Sequence, residues 1–449
     1  MVDSIINELK DKNVAILGFG KEGKSSYNLI RKHSNMHLTI VDKNDILSSN
    51  PYLKDDANID IVYGDNYLDD LEKYDLVIKS PGVITKDIDV TNIHFTSQLE
   101  FLLKYNKHNT IGITATKGKS TTCTLMYEVL KACGKKTLLL GNIGTPIFDA
   151  IEEMDEDTIV VVEMAALHLE FVDVSPHIGA IINLYEDHLD HAGTLEHYHA
   201  NKLNMFKYQT ADDYMIYSSD IEPLPSYVAK NGYKGKDYKI CFDSNTDTDT
   251  LSIIDNYVTL NGEKLYNTLD HRFLVGTHNV RNIMFVLAIS KILGLDMNKV
   301  VQAINEFHGL EHRIEYVGVY HDIVYYNDSI ATIPAATINA LESLGSVDTL
   351  IFGGMDRGID YSELIDYLNA GHVRNLIGMP TTGYKIIDSI TNDKVNKYKV
   401  EMLEDATKLA RDITEKKKIC LLSPAAASYE YFKNFEEKGR AFKSLVKMD

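Results

Sequence analysis

A short β-branched run that stops at glycines and hands over to a helical stretch recurs down this chain, and that rhythm restricts it to parallel-sheet α/β architectures. NVAILGFG (13–20) reads as one such strand and turn, a helical stretch follows, and HLTIVD (37–42) is the next strand. DLVIKSPGV (75–83) adds a strand that ends in a Ser-Pro-Gly turn. A second series opens with the strand NTIGIT at residue 109, the loop TATKGKS and the helix STTCTLMYEVLKAC, which Gly134 stops. TLLLG, TIVVVEM and HIGAIINL follow as strands at βα spacing. From about residue 210 to 275 shorter alternating segments (YMIYSS, YKICFDS, LSIIDNYVTL) predict a small mixed or antiparallel sheet inserted in this domain. A third series from about residue 310 supplies DIVYYN, DTLIFGG, VRNLIGM and KKICLLS. The expected fold is therefore α/β in three domains: a Rossmann-like domain over 1–98, a central P-loop-type mononucleotide-binding domain with the inserted sheet over 99–308, and a Rossmann-like α/β domain over 309–449.

Length and composition agree with this reading. A chain of 449 residues exceeds what one core usually serves, and 44% hydrophobic with 25% charged residues excludes the disordered and collagenous classes. No apolar run nears the roughly 20 residues that span a bilayer. The opening MVDSIINELKDKN carries early acids and no apolar h-region, so a cytoplasmic protein without membrane insertion is expected. A net charge of -19 argues against a nucleic-acid partner, because phosphate binding needs a basic face. Cys123, Cys133, Cys241 and Cys420 form no C-x-x-C pair, which predicts reduced, mostly buried thiols.

Three constellations carry chemistry. Gly18, Gly20 and Gly23 form a G-x-G-x-x-G directly after a strand, and Asp42 ends the next strand. This pattern suits the pyrophosphate of NAD or of a UDP-sugar, and its bland reading is a structural glycine turn. Thr116, Lys117, Gly118, Lys119, Ser120 and Thr121 stand between a strand and a helix, where backbone N–H groups cradle phosphates, a lysine neutralises them and a serine hydroxyl binds magnesium. The strict phosphate-loop spacing is not met, since Gly112 lies one residue too far back and position 115 is Ala. Glu163 at a strand end, the EDHLDH run that includes His188, and Lys202 form the third group. An acid beside a phosphate loop is a normal magnesium ligand, whereas the DHLDH histidines also fit another metal or a surface turn.

TKGKST, VVEMAALHLE, NLYEDHLDHAGTLEHYHANK, GTHNVRN, GLEHR, YNDSIAT, GGMDRG and LLSPAAASYEYFKNFEEKG stand in an order and spacing that resembles the Mur ligases, from about residue 14 to 445. Within that family the resemblance is to the members that add D-glutamate. It implies an ATP-dependent ligase that uses Mg2+ and joins D-glutamate to UDP-N-acetylmuramoyl-L-alanine through an acyl phosphate, and the chain is expected to be a monomer. It further implies that Thr116 to Thr121 bind ATP, with Lys119 and Ser120 at the phosphates and the first magnesium. Glu163 becomes that ion's carboxylate ligand, His188 lies near the second magnesium and the substrate, and Lys202 supplies oxygen ligands as a carbamate. Asn279, Asn282, Arg313 and Asp328 fall near the nucleotide. Gly20, Lys21, Glu22, Asp42, Ser80, Pro81 and Gly82 match positions that hold the UDP part, and Asn142 matches one near the sugar and peptide stem. Ser428, Tyr429 and Phe435 lie where the family receives D-glutamate.

Two departures stand out. Ala115 replaces a family glycine, and Ile330 replaces a lysine near the incoming amino acid, for which Arg357 offers a replacement cation. The competing readings are another Mur-type ligase with a different amino acid, an NAD-dependent oxidoreductase resting on the first glycine motif, and a non-catalytic nucleotide switch.

Overall fold

The computed structural model describes residues 1–186, 194–429 and 431–448. Among them the strands assemble into three sheets. The first holds β1 (Val14–Leu17), β2 (Leu38–Asp42), β3 (Ile59–Tyr63), β4 (Leu76–Lys79) and β5 (Phe95–Thr96) in the order β3-β2-β1-β4-β5, all parallel. The chain reverses direction of winding at β1, so the turn after β1 opens on the crevice where such sheets take ligands.

The second sheet is built on β6 (Thr110–Thr114), β7 (Thr137–Gly141), β8 (Ile159–Glu163) and β9 (Ile178–Ile181), ordered β9-β6-β8-β7 and parallel. All of β6 and β9 is buried, as continuous apolar runs covered on both faces must be. The helix Lys119–Ala132 lies against it through Thr122, Cys123, Leu125, Met126, Val129 and Leu130, one face at helical spacing. Gly134, at φ +75°, ends it, and the Lys135 N–H turns back to Leu130 O at 2.9 Å. The segments expected to form a small inserted sheet are β10 (Tyr214–Ser218), β11 (Lys236–Ile240), β12 (Thr250–Ile254), β13 (Tyr257–Leu260) and β14 (Glu263–Asn267). They are mixed, as the pattern indicates, yet they continue the central sheet beyond β9 into nine strands rather than standing as a sheet of their own. Alternation along each strand reports which face is buried, and it carries no information about which edge a strand joins.

The third sheet, β15-β16-β20-β17-β18-β19, consists of Glu315–Tyr320, Ile323–Asn327, Ile419–Leu422, Val347–Phe352, Asn375–Gly378 and Asn396–Lys399 in that order. Only the β15/β16 hairpin is antiparallel.

The chain divides into two compact units, Met1–Asp270 with Val280–Ile304, and His271–Asn279 with Asn305–Asp449. Inside the first unit the first two sheets share one apolar core, in which Ile16, Leu29 and Ile40 join Phe101, Phe148, Val160 and Phe206. Gln98 stitches them: its Nε2 donates to Glu22 O (2.8 Å) and Ser26 Oγ (2.9 Å), and its Oε1 accepts from the Phe148 N–H (3.0 Å). Cys123, Cys241 and Cys420 are buried free thiols, and Cys133 is a half-buried one. Among the described residues no helix is long and apolar enough to cross a membrane.

Candidate active site

The glycine turn after β1 is shaped by close approach. Gly18 sits at φ +85° and donates its N–H to Val41 O at 2.7 Å; a Cβ there would lie 2.6 Å from Val83 Cγ2. A Cβ on Gly23 would lie 1.9 Å from Gly18 O, so only glycine lets the helix Lys21–His33 come this close to the turn. Gly20, by contrast, has open space where a Cβ would stand and caps that helix, which leaves its first N–H groups available to an anion. Asp42 ends β2 with Oδ2 accepting from the Phe19 N–H of the glycine turn (2.7 Å) and Oδ1 from the Asn44 N–H in its own following turn (2.8 Å), so one oxygen braces the glycine turn. Ser80 donates its hydroxyl to Gly18 O at 2.8 Å, bringing the Ser80, Pro81, Gly82 turn against the glycines. The structure thus gathers Gly20, Lys21, Glu22, Asp42 and Ser80 at the carboxyl edge of the first sheet.

In the second sheet the 116–121 loop follows β6 and is held by a side chain that is not among the site residues expected from the sequence. Asn183, just beyond β9, accepts from the Thr116 and Lys117 N–H groups (3.0 and 2.9 Å) and donates to Lys117 O (2.8 Å). The Thr116 hydroxyl bonds the backbone of Tyr185 in both directions. Lys119 curls back to Ala115 O (2.7 Å) and Thr116 O (3.1 Å). Ala115 is fully buried and is not among the residues at positive φ, so Ala stands there without backbone strain. Gly118 does need to be glycine: φ is +96°, and a Cβ would lie 2.6 Å from Asn282 Oδ1. Asn282 is itself buried and lines this loop, with half-buried Ser120 and Thr121 in the first turn of the helix.

Glu163 ends β8 and is 1% exposed. Its Oε1 accepts from Asn142 Nδ2 at 2.8 Å, while Oε2 is buried with no hydrogen-bond partner among the described residues. An orphaned carboxylate oxygen is costly in a native interior, and beside a phosphate loop it fits a hard cation such as Mg2+. Lys202, also 1% exposed, donates to Tyr198 OH (2.7 Å) and to Thr116 Oγ1 (3.2 Å), with Nζ 4.1 Å from the Tyr198 ring centroid. The fold therefore carries Lys202 to the phosphate loop from the helix Leu195–Lys207. His188 lies outside the described residues, and among those described no group of three His, Cys, Asp or Glu side chains is placed to hold a metal.

In the second unit Asp328 follows β16 and is buried, with Oδ1 accepting from the Ile314 N–H (3.2 Å) and Oδ2 from Ser423 Oγ (2.8 Å). Burial pushes its carboxyl up to about 7 against the pull of those two donors and of the Arg313 charge. Asn279 donates Nδ2 to Val275 O at 2.6 Å. Arg357 donates to Thr332 O at 3.1 Å, two residues from Ile330, which places its guanidinium beside the segment that lost its lysine. The Met355 N–H donates to Ala427 O (2.9 Å), so the loop bearing Arg357 adjoins the one bearing Ser428. Ser428 is buried with a hydroxyl that has no partner among the described residues, Tyr429 is 66% exposed, and Phe435 starts the helix Phe435–Leu445 with its ring 6.0 Å from His312.

Besides Asn183, two further polar side chains are not among the site residues expected from the sequence. His168 accepts from the Ala165 N–H through Nδ1 (3.3 Å) and reaches Glu22 Oε1 through Nε2 (3.1 Å). Lys438 is a fully buried cation in the NFEEKG segment. All three sit inside motifs whose outlines are visible, but each has a partner 66 or more residues away along the chain.

Residues 113–290 match the Mur ligase middle domain family. The chain is 34% identical over 456 residues to the UDP-N-acetylmuramoylalanine--D-glutamate ligase of Clostridium botulinum (strain Okra / Type B1), covering 98% of this chain and 97% of that one. It is 32% identical to the enzyme of the same name from Thermoanaerobacter sp. (strain X514), over 98% and 99% of the two chains. Among solved structures it is similar to UDP-N-acetylmuramate-alanine ligase MurC from Thermotoga maritima (TM-score 0.55, 20% identity, 96% and 98% covered). It is also similar to MurF ligase from Thermotoga maritima in complex with ADP (TM-score 0.56, 15% identity, 98% and 96% covered). At these identities the structures share a fold.

Proposed function

The chain belongs to the Mur ligase family, and from that premise we propose that it joins D-glutamate to UDP-N-acetylmuramoyl-L-alanine with ATP, the reaction for which its curated relatives are named. The observation that carries this reading is the phosphate loop on β6, braced by Asn183, with the orphaned Glu163 oxygen at the end of neighbouring β8.

A carboxylate is a poor electrophile at neutral pH, so amide formation requires its activation. The γ-phosphoryl passes to the substrate carboxylate, ADP leaves, the amine of D-glutamate attacks the acyl phosphate, and phosphate departs. In this reading the 116–121 backbone and the helix N-terminus cradle the phosphates, and Lys119 exchanges its two loop carbonyls for phosphate oxygens. Glu163, Ser120 and carbamylated Lys202 would hold Mg2+, which when bound neutralises phosphate charge. Asn142, fixed to Glu163, faces the stem of the UDP substrate. The crevice formed by Gly20, Lys21, Glu22, Asp42 and the Ser80 turn takes the UDP group. Asp42 Oδ2, which accepts the Phe19 N–H, also helps to shape that crevice. Arg357, Ser428, Tyr429 and Phe435 receive D-glutamate, and Arg313, Asp328 and Asn279 serve the nucleotide. In this reading residues 1–98, 99–308 and 309–449 are three substrate-handling domains, the first two sharing one apolar core.

Phosphate release from ATP, measured with UDP-N-acetylmuramoyl-L-alanine and a panel of amino acids, tests the reading. D-glutamate is expected to support the highest rate. Turnover with another amino acid and none with D-glutamate would overturn the substrate assignment while leaving the ligase chemistry intact.

A further inference from the structure

Lys438 is a buried cation that the proposed reaction does not use. Its side chain enters the second unit from the helix Phe435–Leu445 and, among the described residues, donates to Gly353 O at 2.9 Å. Burial alone pushes its ammonium down to about 7, so placing it here costs the fold stability.

Three segments converge on it. Gly353 donates its N–H to Pro424 O at 2.8 Å, and Gly353 and Gly354 stand at φ +114° and +154°. A Cβ at Gly353 would lie 2.3 Å from Met379 O, and one at Gly354 2.4 Å from Ala427 O, so this loop is wedged between backbones. On the other side, a Cβ on Gly439 would lie 2.2 Å from His312 Nδ1 and 2.4 Å from Ser329 Oγ, which presses the helix onto the segment that continues to Ile330 and Thr332. Arg357 reaches Thr332 O, and Ser428 keeps an unpartnered buried hydroxyl next to Ala427. The Lys438 side chain thus pins the loop that carries Arg357 at the point where it meets the segment that carries Ser428.

We propose that Lys438 is a positioning residue for the amino-acid substrate: its buried side chain locks the 353–358 loop to the 424–428 segment and so sets the separation of Arg357 and Ser428 to suit the two carboxylates of a dicarboxylic amino acid. The inference rests on the reading that this unit receives D-glutamate. A buried amine donor kept at a cost in stability, at the junction of two ligand-bearing loops, is how preorganisation is built into a site. A hydrophobic residue of equal length would fill the space and leave the loop free to shift.

The test is steady-state kinetics and thermal unfolding of the full chain as wild type, Lys438→Met and Lys438→Arg. Wild type is expected to prefer D-glutamate. Lys438→Met is expected to raise KM for D-glutamate at least about tenfold, with KM for ATP and for the UDP substrate unchanged and Tm equal or higher. Lys438→Arg, which keeps a donor and a charge, should recover much of that loss. An unchanged KM for D-glutamate in Lys438→Met overturns the proposal, and so does a loss of Tm accompanied by a parallel weakening of all three KM values, which marks a purely structural lysine. If Lys438→Met does not fold, Lys438→Gln is measured in its place, and the same outcomes support or overturn the proposal. Wild type that does not use D-glutamate overturns the functional reading itself, and the inference with it.

Discussion

Lys119 donates to two carbonyls of its own loop, and local contacts of this kind contribute little to the fold. Lys119→Ala is expected to change stability by about 1 kcal/mol or less and to lower turnover by at least about 100-fold, because the charge neutralised in phosphoryl transfer has no substitute. Unfolding curves and ATP-dependent phosphate release check the two halves separately. Lys202 requires a different experiment. An ammonium at the phosphate loop would repel Mg2+, whereas a carbamate offers hard oxygen donors. Isotope-labelled bicarbonate should give a carbamate resonance that Lys202→Arg abolishes, and a small carboxylic acid should restore part of the activity lost in Lys202→Ala. Full activity of Lys202→Ala without any additive would end the carbamate proposal. At Arg357, loss of a charge-assisted carboxylate contact of about 1.5 to 3 kcal/mol predicts a roughly 10- to 150-fold loss in D-glutamate use for Arg357→Ala, read as kcat/KM.

At the scale of the element, each strand–turn–helix unit works because glycines let backbone meet backbone. Gly23→Ala would drive a Cβ into the Gly18 carbonyl, an atom with no rotamer by which to yield. The expected result is a destabilisation of about 1 to 3 kcal/mol or more, with weaker binding of the UDP substrate. Denaturant melts and calorimetric titration would show it. The same element distinguishes UDP-sugar from NAD: calorimetry should register the UDP substrate and no NAD. Gly20→Ala, which meets nothing within 4 Å, should leave stability nearly unchanged and reduce affinity if the ligand packs there.

Across the whole molecule, stability should depend on pH through carboxyls that the first unit buries. Burial, and then the adjoining Asp173 carboxyl, push Glu100 up to about 8. A carboxyl raised on folding is protonated in the native state and ionised in the unfolded chain between about pH 4.5 and 8. Its contribution is thus fully present below that window and lost as pH rises through it. Glu100→Gln, which keeps the shape of the neutral acid, should flatten the fall in Tm between pH 5.5 and 8. A wild-type decline that Glu100→Gln leaves unaltered would assign it to other groups.

The amino-acid sequence by itself determined the α/β class, the glycine turn after β1, the phosphate loop between β6 and its helix, and the family, because these signals are local or ordered along the chain. Strand-length apolar runs, glycines where a Cβ would clash, and a lysine and serine at a helix start are all legible within about ten residues. Tertiary structure alone decided what spans long separations. It revealed Asn183 bracing the phosphate loop, His168 reaching Glu22, Lys438 beneath the Arg357 loop, and strands 214–267 joining the central sheet. It also showed that an Asp42 oxygen braces the glycine turn and that the first two sheets share a core. Periodicity states which face of an element is buried, whereas the partner that buries it, and the donor that satisfies a polar atom there, depend on how distant segments pack.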